Sequence, residues 1–210
     1  MCVEKAIGVM DKNIIDLFFL EISKKTNKDT EVIITGAAAG ALFGYSRPSL
    51  DIDFEIRGRG KKDAAYLEYL DGVVREISAR MGIDINYGED ISHWTMIDYL
   101  DYRHKTIPYK KIDQLDIRIM APEYWTIGKM TRFLEIDTED MTQVIRKKKL
   151  DANEMIGLWA RALKASPMSL AKKDFIDHVR AFIKTYGKRA WGKDFDAKEA
   201  VMKFNRLIMI

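Results

Sequence analysis

Two aspartates separated by one isoleucine, Asp51-Ile52-Asp53, open a run that alternates polar and apolar residues through Phe54-Glu55-Ile56. Such alternation is the pattern of a strand, and residues i and i+2 of a strand share a face. Asp51 and Asp53 are therefore expected side by side. Two like charges that close are costly unless something positive lies between them. A hard divalent cation with oxygen ligands, Mg2+ or Mn2+, is the natural partner. Just upstream, Thr30 to Thr35 is a buried strand that ends in Gly36-Ala37. A glycine turn from strand to helix offers backbone N–H groups to phosphate. Metal and phosphate together imply phosphoryl or nucleotidyl transfer. Asp51-Ile52-Asp53 would also suit the solvated face of an ordinary sheet.

The elements that would position these residues follow from periodicity. Asp11 to Lys25 has a broad apolar face and is expected to be a helix. Ala37 to Phe43 is a short alanine-rich helix, and Arg47-Pro48-Ser49 a loop, because the residue before proline avoids the α region. Gly58-Arg59-Gly60 turns into a long helix over 62–81, and Ile83 to Tyr87 alternates as a third strand. A short helix is expected around Trp94 to Leu100, then two strands at Lys105–Lys110 and Leu115–Met120. Beyond Pro122 every segment reads as helix: 123–134, 137–149 with Asp137 as N-cap, 153–165, 172–186 and 197–208. Pro167 and Gly187 punctuate them. The expected fold is α/β, a small mixed sheet flanked by helices and followed by a helical C-terminal part. The basic run Arg146-Lys147-Lys148-Lys149 marks the expected boundary between a domain over 1–149 and a helical region over 150–210.

Composition narrows the class. The net charge of +3, from 35 basic and 32 acidic residues, is too balanced to diagnose nucleic-acid binding. One cysteine, Cys2, rules out an internal disulfide and a cysteine zinc cluster. His93, His104 and His178 show no zinc spacing. The first apolar run, Ile14 to Ile22, is broken by Asp16 and Glu21 and is too short to span a bilayer. A cytoplasmic enzyme without a signal peptide or membrane partner is expected. Arg146 to Lys149, with Lys172, Lys173, Lys188, Arg189 and Lys193, would either be solvated helix surface or line an RNA-binding face.

Strand, glycine turn, short helix, Arg47-Pro48-Ser49-Leu50-Asp51-Ile52-Asp53, helix and aspartate-bearing strand occur in that order. A second block has Ile117-Arg118-Ile119, then Lys129, then Asp137-Thr138-Glu139-Asp140. The layout resembles the polymerase-beta-like nucleotidyltransferase superfamily, and within it the AbiEii-type enzymes, many of them toxins of toxin–antitoxin systems. The resemblance implies that Gly36, Ala37 and the amides after them hold a triphosphate, with Arg47 and Ser49 beside them. It implies that Asp51 and Asp53 bind Mg2+, that Lys129 contacts nucleotide phosphate, and that Asp140 organises the site. A third carboxylate is implied at Asp84, with Asp116 as the rival position. The implied substrates are a nucleoside triphosphate and a hydroxyl acceptor such as tRNA, another RNA, a protein or a small molecule, and the implied partner is a separate antitoxin chain. Where the family usually has Gly-Ser or Gly-Gly, this chain has Gly36-Ala37, which keeps open a catalytically degenerate nucleotide- or partner-binding protein of the same fold.

Overall fold

The computed structural model describes residues 11–44, 51–60 and 63–209. The chain forms two compact units: residues 1–91 with 107–119, and residues 92–106 with 120–210. The division does not fall at 149/150. The helices on either side of that point belong to the same unit, so the basic run is a helix end inside it.

The first unit holds a five-stranded mixed sheet in the order β3-β2-β1-β5-β4. Its strands are β1 (Thr30–Ile34), β2 (Asp51–Gly58), β3 (Asp84–Gly88), β4 (Thr106–Ile112) and β5 (Leu115–Met120). β1 pairs antiparallel with β2 and parallel with β5, and β2 pairs parallel with β3. The two-residue turn Asp113-Gln114 joins β4 to β5, which suits a hairpin.

Alternation gives this sheet two unlike faces. Val32, Ile34, Ile52, Phe54, Ile56 and Ile117 lie on one, all buried. Helices α1 (Lys12–Ser23) and α3 (Ala64–Met81) supply its apolar cover. Phe18 and Phe19 meet Phe54 edge-on at 5.9 and 5.4 Å, and Tyr87 stacks on Phe54 at 5.4 Å. Asp11 caps α1 by accepting from Ile14 N, and Asp63 caps α3 by accepting from Tyr66 N. Gly82, at φ 66°, ends α3.

The other face is charged. Arg57 donates to Glu31 at 2.7 Å, Arg59 donates to Glu31 at 3.1 Å and also pairs with Asp116. Glu55 is fully buried on this face, where it accepts from Ile91 N at 3.2 Å and lies 3.6 Å from Arg57. Burial alone would raise the Glu31 carboxyl, but Arg57 and Arg59 outweigh it and hold the group below its ordinary range.

The second unit contains α4 (Pro122–Arg132), α5 (Glu135–Lys148), α6 (Ala152–Ala165), α7 (Leu170–Trp191) and α8 (Ala197–Ile208). Its core includes Trp125, Trp159, Phe175, Phe182 and Phe204. Trp159 Nε1 donates to Thr126 Oγ1 at 2.9 Å, which satisfies a buried indole.

Three local expectations are corrected. The helix around Trp94–Leu100 is instead a 3-10 turn at Ile91–Trp94, followed by irregular chain and a second turn at Tyr102–His104. Asp98 takes Leu100 N with its side chain, and Leu100 stands at φ 56°, so local bonding replaces a helical ladder. Gly187 does not end a helix but lies within α7, where a Cβ would overlap the Phe195 ring. It is there to let that ring approach. The third correction, at Asp137, belongs to the site.

Candidate functional site

β2 begins at Asp51, so the acidic pair occupies the end of the strand that lies beside the end of β1. Thr35 N donates to Asp53 O at 2.9 Å and carries the pairing one step beyond the last β1 residue. The chain then turns at Gly36, at φ 59°, into α2 (Gly36–Leu42). A side chain at position 36 would overlap the Asp53 carboxylate itself. The glycine is required twice, by its backbone conformation and by the carboxylate packed against it. Ala37, Ala38 and Ala39 are buried, and their small side chains let α2 pack closely on β2. The hydroxyl that a serine at 37 would bring is replaced by a buried methyl.

The β2–β3 register puts Asp84 opposite Asp51 and Asn86 opposite Asp53. Register partners of a parallel pair share a face, so Asp51, Asp53, Asp84 and Asn86 stand on the charged side of the sheet. Asn86 Nδ2 donates to Asp53 Oδ1 at 3.1 Å and fixes that carboxylate. Asp51 and Asp53 are partly exposed, and Asp84 and Asn86 are exposed. Asp116 is remote along the strands, in register with Glu31 and paired with Arg59. The structure therefore places Asp84, not Asp116, beside the aspartate pair.

Among the described residues no group of three or more His, Cys, Asp or Glu side chains could hold a metal ion. The donors present nevertheless suit Mg2+, which is commonly held through one or two carboxylates together with substrate phosphates and water rather than in an all-protein cage. Asp51 and Asp53 supply hard oxygen donors, and Asn86 orients one of them in the way outer partners steer metal ligands. Arg47 and Ser49 lie outside the described residues.

Lys129, Asp137 and Asp140 are all in the second unit. Phe133, at φ 53°, turns α4 into α5 within two residues, and the corner carries the ion cluster. Lys129 Nζ donates to Asp137 at 2.9 Å and to Asp140 at 2.8 Å, and sits 5.2 Å from the centre of the Trp125 ring. Arg132 adds two bonds to Asp137, at 2.6 and 3.1 Å. Asp137 is not an N-cap. Leu134 takes the cap position, and the Asp137 side chain is turned inward, fully buried, against two cations. Burial pushes the Asp137 carboxyl up, but Arg132 and Lys129 more than offset it, so the group lies below the ordinary carboxylate range. The Lys129 ammonium, with its side chain 3% exposed, is enclosed by carboxylates rather than presented to a ligand.

Sequence reasoning missed Asn86 and Glu55. Asn86 could have been found as the i+2 neighbour of Asp84. The sequence near Glu55 carries no sign that Ile91 N would come to meet it.

Comparison of the chain with protein-family models, with curated proteins and with solved structures finds no match in any of the three.

Proposed function

We propose that the first unit binds a nucleoside triphosphate with Mg2+ at Asp51, Asp53 and the Gly36 turn, and transfers its nucleotide to a hydroxyl acceptor, which attacks the α-phosphate as the bond to the β-phosphate breaks and pyrophosphate leaves. The observation that carries this reading is the contact between the turn and the carboxylate: position 36 admits only glycine because Asp53 lies on it. A site for phosphate oxygens and a site for a hard cation are thereby joined. Bound Mg2+ would neutralise charge on the phosphate under attack and on the attacking oxygen. Asp51 and Asp53 would hold the cation, Asn86 would orient Asp53, and Asp84 lies in register to complete the acidic face. A carboxylate of this set would also accept the proton of the attacking hydroxyl. In this reading Lys129 and Asp140 stabilise the α4–α5 corner. The AbiEii likeness, a toxin role with a separate antitoxin and a cytoplasmic setting remain part of the same proposal.

A second reading, a protein that binds nucleotide without turnover, is favoured by Ala37, whose buried methyl stands where a phosphate-touching hydroxyl would be. The test is transfer of label from each nucleoside triphosphate in Mg2+, with tRNA and cell protein as acceptors. The Asp51→Ala, Asp53→Ala double variant is run beside the wild type. Transfer that survives the double substitution overturns the mechanism. Mg2+-dependent nucleotide binding without transfer selects the second reading.

A further inference from the structure

The two units differ in charge. Residues 92–106 and 120–210 carry 20 Lys and Arg against 14 Asp and Glu, a net +6, while the rest of the chain carries 15 against 18, a net −3. The excess is not spread evenly. No acidic residue occurs between Asp140 and Asp151, or between Asp177 and Asp194. The first interval contains Arg146, Lys147, Lys148 and Lys149, and the second Lys184, Lys188, Arg189 and Lys193, all of them exposed.

The fold brings these intervals together. α5 packs on α7, and Trp191 Nε1, in the last turn of α7, donates to Leu150 O, just past the end of α5, at 3.0 Å. Two basic helix ends thus become one patch. The macrodipole accounts for cations in the last turn of a single helix. It does not account for two such ends meeting, where their charges repel. Half-buried rings lie among the cations. Trp191 and Phe195 are 4.7 Å apart, and Arg189 lies 6.0 Å from the centre of the Tyr186 ring while also pairing with Glu139 at 2.6 Å. Clustered cations with aromatic surface between them match a single-stranded nucleic acid, whose phosphates and base faces need both.

We infer that the α5–α7 patch, centred on Lys148, Lys149, Lys188 and Lys193, is a docking face for RNA, held through its phosphate backbone. This inference does not depend on nucleotidyl transfer. It is tested in EDTA without nucleotide, by fluorescence anisotropy of the full chain with a labelled single-stranded RNA of about 20 nucleotides, longer than a typical single-strand site. Four phosphate contacts predict an affinity loss of about 50-fold between about 50 and about 200 mM salt. Reversing the four lysines to glutamate should weaken binding about 100-fold or more. The same number of reversals at Lys164, Lys198, Lys203 and Arg206, on α6 and α8, should cost far less. The Asp51→Asn, Asp53→Asn variant should bind as the wild type does. RNA should also shield Lys148, Lys149, Lys188 and Lys193 of the wild type from amine labelling, a readout that needs no variant to fold. Unshielded lysines, equal losses in patch and control variants, or tighter binding to phosphatidylserine vesicles than to RNA would overturn the inference.

Discussion

Two of the aspartate pairs in the molecule have contrasting surroundings. Asp137 and Asp140 are shut inside a helical corner with Lys129 between them. Asp51 and Asp53 stand on a strand, partly open to solvent, with a neutral amide from Asn86 on one of them and a glycine beneath it. The first pair has its counter-ions built in, Lys129 on both carboxylates and Arg132 on Asp137. The second pair is partly exposed at the start of its strand. A carboxylate cluster in a sequence says nothing about which case applies.

The contrast breaks most sharply on activity. Asp53→Asn should lower nucleotide transfer by about 10²–10³-fold, the cost of one preorganised electrostatic partner, with little change in the urea midpoint. A variant that transfers normally, or that unfolds, would erase the distinction between the pairs. Lys129→Met should do the reverse. It removes the buried ammonium that both carboxylates share and should cost about 3–5 kcal/mol of unfolding free energy, read by urea titration.

Acid tests the same cluster. Because the folded Asp137 carboxyl lies below its ordinary value, its stabilisation is fully present above about pH 4 and is lost as pH falls through the lower folded value. The urea midpoint should decline in that window, and Asp137→Asn should flatten the decline. Asn86→Ala should lower Mg2+-supported nucleotide binding about 10–100-fold without moving the midpoint, as removal of an outer partner does. The smallest change is a control on the sheet-bearing unit. Gly72 lies in α3 with open space around it, so Gly72→Ala should raise stability by about 0.5–1 kcal/mol, visible as a higher melting temperature.

The sheet side of this contrast was legible in the sequence and the helical side less so. Strand alternation at Asp51–Ile56 places side chains by a period of two, so the shared face of Asp51 and Asp53 could be anticipated, whereas Asp84 was implied only by the resemblance, with Asp116 as its rival, and its place beside them comes from the strand register. Gly36 announced its turn for the same local reason. Asp137 was misjudged because an acidic residue near a helix start suits a cap equally well, whereas Lys129 and Arg132, on the preceding helix, hold it inward. Gly187 was misjudged because glycine breaks helices on average, whereas here a ring from beyond the helix needs the space. Both errors concern partners that the local pattern does not contain. The short helix expected near Trp94 failed for a different reason, since the Asp98 side chain accepts from Leu100 N.

The spacing of the acids has an origin outside the strands that carry them. Asp84 faces Asp51 because β3 returns parallel to β2 after the 18-residue helix α3, capped by Asp63 at one end and stopped by Gly82 at the other. A slip of one residue in that return would set Ile83 or Ile85 opposite Asp51 and turn Asp84 toward the apolar layer, since neighbouring strand residues point to opposite faces. α3 therefore acts as a ruler. Its two stops fix a length of chain, and that length determines which atoms share the acidic face. An insertion within α3 far from any acid would alter the chemistry of the site as surely as replacing one.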